Sequence, residues 1–206
     1  MRANRSALRF HRWLPVWLLC CVLTPVLAGN QAEEKLADQV RIALIRAITE
    51  PRPPQLRFAT DADRTDWQGW FAVMSTRLHS RMPDPMVRSE FLQTIWYEAR
   101  RAGLEPALVL GLVQVESGFR KYAISRAGAR GYMQVMPFWT RVIGDGQPSK
   151  LFQMQANLRY GCSILRMYID MENGNLYLAL GRYNGSRGRP EYPNAVLVAR
   201  RRWQHP

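Results

Sequence analysis

Most of this 206-residue chain carries apolar residues at helical spacing between proline and glycine breaks. In residues 31–49, for example, Leu36, Val40, Leu44 and Ile48 recur every four positions, which is the repeat of one helix face. No segment alternates apolar and polar residues convincingly enough to indicate a strand. The sequence therefore predicts an all-α fold.

Proline, glycine and capping residues indicate where the predicted helices begin and end. Asp84 is placed to cap a helix whose first turn holds Pro85, and Gly103 is placed to end it. Pro106 then opens a helix that runs to Glu116, followed by a glycine-containing loop over 117–130. Further helices are predicted over 31–49, 66–80, 131–143 (as short pieces), 153–172, 175–183 and 192–203.

The helix predicted over 66–80 carries five large apolar side chains at helical spacing: Trp67, Trp70, Phe71, Met74 and Leu78. Such a stripe is far more often a buried face than a platform for sugars. We therefore assign it to the core.

The N-terminus has the three-part order of a secretory signal peptide. Its first twelve residues hold four arginines and no acidic residue, an apolar run extends from Trp13 to Leu27, and Ala28 provides a small residue for cleavage. The run is shorter than the roughly 20 residues of a membrane span. We predict cleavage after Ala28 and disfavour an uncleaved anchor. A lipoprotein site at Cys20 or Cys21 is a weaker prediction still. The residue before a modified cysteine is normally small, whereas here it is Leu19 or another cysteine.

The chain is basic, with 29 Lys and Arg residues against 16 Asp and Glu and a net charge of +13. In an exported protein this excess favours polyanionic envelope polymers such as peptidoglycan, and it argues against nucleic acid as a partner. The alternative is that the excess of arginine only keeps the protein in solution.

After Ala28 the chain retains one cysteine, Cys162, and two histidines, His79 and His205. A single cysteine cannot form an intramolecular disulfide. The histidines and the cysteine show no metal-ligand spacing. We expect no metal and no cofactor.

Glu116 is the acidic residue with the most unusual predicted surroundings. On its helix, Val109, Leu112 and Val113 precede it by seven, four and three residues and so share its face. Burial among aliphatic side chains and the negative end of the helix dipole both disfavour the carboxylate. The pKa of Glu116 should therefore be raised, as a proton donor near neutral pH requires. A Glu at a helix end can also simply turn to solvent or pair with Arg120 or Lys121.

Three separated motifs favour a functional role for Glu116 over these alternatives. They are Glu116-Ser117, the run from Gly131 to Pro137 (Gly-Tyr-Met-Gln-Val-Met-Pro), and Tyr183-Asn184. In order and spacing they resemble the motifs of the soluble lytic transglycosylase family, over about residues 85–206. The resemblance implies a lysozyme-like helical domain that cleaves the peptidoglycan bond between N-acetylmuramic acid and N-acetylglucosamine in the periplasm.

The resemblance also implies roles for individual residues. Glu116 matches the catalytic acid and base. The residues that match substrate-contacting positions are Ser125, Met133, Gln134, Tyr183, Asn184 and, less closely, Tyr192. Tyr132 departs from the family, where leucine is usual, and Arg182 and Arg187 put the subsite preferences in question.

The same resemblance implies a reaction without a second carboxylate, in which the C6 hydroxyl of the muramic acid attacks its own C1 and leaves a 1,6-anhydro end. One alternative is a hydrolase of goose-lysozyme type, with water activated by Asp145 or another carboxylate. Another is a non-catalytic wall-binding module.

We predict a signal peptide over 1–28, a helical extension over 29–82 and a catalytic domain over 83–206, acting as a monomer. Small enzymes of this kind often serve a secretion or pilus machine, which the extension could contact. The sequence of 29–82 does not distinguish such docking from an enlarged core.

Overall fold

The structure is a computed structural model of the full chain. It describes Gln31, Glu33, Leu36, residues 38–49 and residues 56–205. The predicted signal peptide over 1–28, with Cys20 and Cys21, lies outside the described residues, as does the proline-rich segment at 51–54.

The described residues are built from α-helices. In chain order these are α1 (Asp38–Thr49), α2 (Asp61–Leu78), α3 (Pro85–Arg101), α4 (Pro106–Ser117), α5 (Phe138–Ile143), α6 (Met154–Met171), α7 (Leu176–Asn184) and α8 (Glu191–Arg202). A 3-10 helix covers Pro148–Phe152. Extended pairing within these residues is limited to two isolated bridges, Ile124 with Arg130 and Arg130 with Val135. The all-α prediction is confirmed for the described chain.

The predicted cap of α3 is confirmed, and the structure adds a cap at the end of α4. The Asp84 side chain accepts hydrogen bonds from the backbone N–H groups of Met86 and Val87, which would otherwise lack partners at a helix N-terminus. Gly118 ends α4 in the left-handed conformation at φ 58°, which glycine adopts without strain.

Three predicted boundaries are wrong. Helix α2 begins five residues earlier than predicted, because Thr60 and Asp63 form a reciprocal capping box instead of a turn. Helix α1 begins at Asp38, and Gln31, Glu33 and Leu36 before it are not helical. Within 131–143, only Phe138–Ile143 is helical, because the preceding residues form a turn whose chain pairs back on Arg130.

Helix α4 lies at the centre of the domain, and almost every one of its residues is buried. It packs closely against α8, and Gly111 makes this approach possible. A Cβ atom on Gly111 would lie 2.6 Å from the backbone nitrogen of Arg200. Gly111 thereby brings the middle of α4 against the C-terminal part of α8, at Ala199 and Arg200.

The described part of the N-terminal extension belongs to the same core. On α2, Trp70, Met74 and Leu78 are buried, whereas Trp67 and Phe71 of the predicted stripe are only partly covered. The Trp70 and Trp96 rings lie 4.9 Å apart between α2 and α3. Helix α1 packs against α5 and α6 and contributes Leu44 to the core. Among the described residues, no helix combines the length and the apolar character needed to cross a membrane.

The crossing of α4 and α8 gives a test of the packing. Gly111→Ala should lower the free energy of unfolding by roughly 1–3 kcal/mol, because the added methyl group meets backbone that cannot rotate away. Gly69→Ala is the matched control on the exposed face of α2, where the new Cβ would have only ordinary contacts at 3.6 Å or more. That control should be neutral or should gain up to about 1 kcal/mol from helix propensity. Chemical denaturation of both variants measures their free energies of unfolding. Equal changes in the two variants would contradict the close approach of α4 and α8 at Gly111.

Candidate active site

Glu116 is the penultimate residue of α4, and its side chain is only 6% exposed. Val109, Leu112 and Val113, which the sequence placed on its face, are completely buried. The left-handed cap at Gly118 then turns the chain away immediately after the helix. Glu116 is thus a carboxyl group at the end of an apolar helix inside the core.

This burial raises the pKa of Glu116 from its ordinary 4.5 to about 8. The cause is desolvation, since the charged form loses its hydration inside the protein. A hydrogen bond from Tyr192 acts in the opposite direction and only partly offsets the burial. Glu116 therefore holds its proton at neutral pH, as a general acid must.

Tyr192 reaches Glu116 from the first turn of α8. Its hydroxyl donates a 2.5 Å hydrogen bond to Oε1 of Glu116, and the ring is 1% exposed. The other carboxyl oxygen, Oε2, is buried without a hydrogen-bond partner among the described residues. Because Oε1 accepts from Tyr192, we place the proton of the neutral acid on Oε2, the carboxyl oxygen without a hydrogen-bond partner among the described residues.

Tyr183 lies close to the same carboxyl group from α7. Its hydroxyl donates a 2.8 Å hydrogen bond to the backbone carbonyl of Met133. Burial raises the pKa of Tyr183 well above its usual value, and the charge of Glu116 nearby adds to the rise. The side chain is completely buried, so Tyr183 is part of the packing around the Glu116 carboxyl group.

Asn184 ends α7 next to Tyr183. Its amide nitrogen donates to the hydroxyl of Ser186 at 3.0 Å, while its Oδ1 atom is buried with no partner among the described residues. An unpaired buried acceptor costs about 1–3 kcal/mol. Such a group is commonly retained where a ligand supplies the missing donor.

The turn at 131–137 is fixed from inside by Asn157 of α6. Asn157 accepts a hydrogen bond from the Met133 backbone N–H at 2.8 Å and donates to the carbonyls of Arg130 and Leu151. Gly131 is required here, because a Cβ atom would overlap with Asn157 and Leu151 and the backbone has φ 75°. From the sequence, Asn157 is predicted only as a residue of the helix over 153–172, with no role at the site.

Ser117 is a second residue for which the sequence predicts no individual role. Its hydroxyl lies within hydrogen-bond reach of two carbonyls, that of Val113 on its own helix and that of Tyr132 at 2.7 Å. The second bond joins the end of α4 to the turn that contains Met133. The only sequence signal for Ser117 was its place in the motif beside Glu116.

Gln134 and Met133 are both buried more deeply than a groove wall would be. The Gln134 amide nitrogen donates to the carbonyls of Ala123 and Gly131, and its backbone adopts a left-handed φ of 49°. The Met133 side chain packs on Gly161 of α6. For both residues, direct contact with substrate stays a prediction.

Ser125 lies in the loop between α4 and the turn. Its hydroxyl accepts a hydrogen bond from the Ala129 backbone N–H at 3.1 Å and so closes a tight turn. The side chain is half-buried and keeps its own O–H available as a donor. Its contact with substrate is likewise a prediction.

Two other buried acidic side chains of this region pair with arginine side chains. Glu98 is completely buried and accepts from Arg101 and Arg159, while Glu172 accepts from Arg182 and Arg187. The Arg187 guanidinium is the main cause that lowers the pKa of Glu172 to about 2. Within the described residues, His, Cys, Asp and Glu do not gather in groups of three or more that could hold a metal ion.

Fold and site together define a class of protein: a helical domain with one buried carboxylic acid that is protonated at neutral pH and flanked by two tyrosines. Residues 93–195, half of the chain, match the family described as the transglycosylase SLT domain. The chain belongs to this family.

Curated relatives agree with the assignment. The chain is 34% identical over 99 residues to membrane-bound lytic murein transglycosylase C of Actinobacillus pleuropneumoniae serotype 5b, covering 45% of this chain and 24% of that protein. It is 41% identical over 88 residues to the protein of that name in Histophilus somni strain 2336, covering 39% and 24%. The chain thus spans about a quarter of the length of these relatives.

Among solved structures, the chain is similar to an inactive mutant of the lytic transglycosylase Slt from Pseudomonas aeruginosa. The TM-score is 0.44 at 20% sequence identity, over 86% of this chain and 36% of that one.

The hydrogen bond between Tyr192 and Glu116 can be tested without an activity assay. Tyr192→Phe should raise the pKa of Glu116 further, because the hydroxyl lowers it in the native protein. The infrared carbonyl band of the protonated acid, identified by difference from Glu116→Gln, reports the titration. Tyr160→Phe, which removes a tyrosine hydroxyl elsewhere in the core, is the control. A lower pKa in Tyr192→Phe would contradict the described bond.

Proposed function

We propose that this chain is a peptidoglycan lytic transglycosylase. It cleaves the β-1,4 bond between N-acetylmuramic acid and N-acetylglucosamine and leaves a 1,6-anhydromuramic acid end. The observation that carries the proposal is the carboxyl group of Glu116, which is buried, protonated at neutral pH and unpartnered at Oε2. Membership of the transglycosylase SLT domain family supports the same reaction.

In the first half of the reaction Glu116 acts as the acid. The O–H on Oε2 donates its proton to the glycosidic oxygen, the bond from C1 of the muramic acid to that oxygen breaks, and the N-acetylglucosamine leaves with a free hydroxyl. The positive charge that develops at C1 is stabilised by the acetamido group of the same sugar. The Tyr192 hydroxyl, already bonded to Oε1, stabilises the carboxylate that forms.

In the second half Glu116 acts as the base. The C6 hydroxyl of the muramic acid attacks C1, and its proton passes to the carboxylate, which restores the neutral acid. The new bond closes the 1,6-anhydro ring, and no water is consumed. One carboxyl group therefore suffices, whereas most glycosidases need two.

The alternative of hydrolysis requires a second carboxylate that activates water. Asp145, the candidate named from sequence, is 41% exposed, paired with Lys150 and bonded to the Gln147 backbone N–H. The hydrogen bond from Lys150 is the main cause that lowers its pKa. A carboxylate stabilised in this way is a weak base, which favours attack by the sugar hydroxyl.

Export and location form part of the same proposal. We infer that residues 1–28 direct the chain out of the cytoplasm and that the mature protein acts in the periplasm on glycan strands. The excess of basic residues and the membrane-bound relatives support an envelope location. A secretion or pilus machine as partner, and a monomeric state, stay predictions.

The first test is the substitution Glu116→Gln. It should abolish release of fragments from purified peptidoglycan while the melting temperature shows an intact fold, because glutamine cannot donate or accept the proton. Mass spectrometry of the wild-type products should find 1,6-anhydromuramic ends.

Asp145→Asn is the matched control and should retain activity. Reducing muramic acid ends, together with loss of activity in Asp145→Asn, would instead establish the hydrolase. A wild-type protein that binds peptidoglycan without releasing fragments would establish a wall-binding module.

The pH dependence follows from the raised pKa of Glu116. The reaction begins from the protonated acid, so kcat/KM should fall as the pH rises through about 8 and stay high below it. Solubilised glycan strands provide the substrate for this profile. A decline that sets in near the ordinary value of 4.5 would contradict the proposed role.

A further inference from the structure

Two aromatic rings lie at the surface in the loops that flank the turn at 131–137. Tyr122, in the loop after α4, is 70% exposed. The half-buried ring of Phe152, at the end of the 3-10 helix, lies 6.0 Å from the Tyr122 ring. We call this pair the aromatic platform. A single exposed apolar residue is ordinary, whereas neighbouring aromatic rings at a surface are typical of a binding site.

The aromatic platform is connected through its neighbours in the chain to the turn at 131–137. The carbonyl of Ala123, the residue after the tyrosine, accepts a hydrogen bond from the Gln134 amide at 3.1 Å. The carbonyl of Leu151, the residue before the phenylalanine, accepts from the Asn157 amide at 2.8 Å, and Asn157 is the side chain that fixes the turn. The platform is therefore held next to the turn by the contacts that build the active site.

Two cations lie against the platform without an acidic partner. Nζ of Lys121 lies 5.3 Å from the centroid of the Tyr122 ring, and the guanidinium carbon of Arg130 lies 5.5 Å from that of Phe152. Neither cation forms an ion pair within the part of the chain that the structure describes. In the same part, Nε of Arg130 is buried without a hydrogen-bond partner.

The local sequence gives these cations no acidic neighbour either. Residues 117–144 contain five basic residues and no Asp or Glu. Positive charge that no acidic side chain neutralises raises the local concentration of anionic ligands. The platform thus combines aromatic faces with a surplus of positive charge, which favours a ligand that has both an apolar face and a carboxylate.

Peptidoglycan that carries its stem peptides has this combination. The C–H groups on the face of a sugar ring can stack on an aromatic side chain. The peptides attached to the muramic acid carry carboxylates, which pair with arginine and lysine. A glycan strand stripped of its peptides would use the rings but would leave the cations without partners. Charge complementarity therefore favours the peptide-bearing strand.

We propose that the aromatic platform, with Arg130 and Lys121, is a subsite for a peptide-bearing sugar of the glycan strand. The sugar ring stacks on Tyr122, and a carboxylate of the stem peptide binds to the two cations. The proposal names the class of strand that the protein prefers, and it rests on the proposed transglycosylase function. The subsite contributes to binding of the strand and not to the proton transfers of Glu116.

The first experiment measures KM and kcat on solubilised strands that carry stem peptides and on the same strands after an amidase has removed them. Tyr122→Ala should raise KM on both substrates by roughly 5-fold to 50-fold, because the ring surface is lost. Its kcat should stay within about twofold of the native value, because no reacting group is changed. Since Tyr122 is largely exposed, the variant should keep the native melting temperature.

Arg130→Gln and Lys121→Gln test the cations separately. Each should raise KM on peptide-bearing strands by about 3-fold to 30-fold, because one charge-assisted contact is lost. Each should leave KM on stripped strands unchanged. The matched controls are two exposed residues of α1: Ile42→Ala removes an apolar side chain, and Arg46→Gln removes one positive charge. Both controls should match the native protein on both substrates.

The second experiment measures binding without turnover. In Glu116→Gln, calorimetry with peptide-bearing fragments should give a Kd that rises when Tyr122→Ala is added. The affinity of Glu116→Gln for these fragments should also fall with salt more steeply than its affinity for stripped fragments, because salt screens exposed charges. A native KM in folded Tyr122→Ala would overturn the proposal. Equal losses on both substrates in Arg130→Gln and Lys121→Gln would also overturn it.

The binding measurement distinguishes failure of this proposal from failure of the proposed function. If the native protein forms no anhydro ends but binding depends on Tyr122 as described, the proposed function is wrong and the subsite is real. If the native protein forms these ends and Tyr122→Ala leaves both KM and Kd unchanged, only the subsite is wrong.

Discussion

The removal of the Glu116 carboxyl group from water is the interaction on which the rest of the site depends. The apolar sequence of α4 makes that helix central to the core, and α8 packs against it. Tyr192 in the first turn of α8 donates a hydrogen bond to Oε1. Burial is stronger than this hydrogen bond in its effect on the pKa, so the acid stays neutral while one oxygen is held in place.

A second set of contacts makes the surroundings of that acid rigid. Asn157 holds the turn at Met133, Ser117 joins the turn to the end of α4, and Tyr183 bonds to the Met133 carbonyl from α7. Three helices, α4, α6 and α7, therefore meet at one buried turn. Because each contact satisfies a buried polar group, loss of one would leave another unpaired at a cost of about 1–3 kcal/mol.

The sequence was sufficient for the parts of the structure that local rules determine. Asp84 acts as the cap of α3, Val109 and Val113 share the buried face of Glu116, and the helical fold follows from the apolar spacing. The sequence was insufficient where a side chain bonds to a residue that is distant along the chain. The capping box at Thr60 was missed, and the sequence does not indicate what Asn157 and Ser117 bond to, because their contacts with the turn at 131–137 are set by tertiary packing.

The account as a whole requires that Glu116 keep its proton at neutral pH, and a direct titration of that side chain is the measurement that tests it. In protein labelled with carbon-13 at glutamate, the carboxyl resonance that is missing from Glu116→Gln belongs to this residue. Its chemical shift should change with a midpoint near pH 8. A midpoint near the ordinary 4.5 would mean that Glu116 is ionised at neutral pH and would contradict its role as the acid.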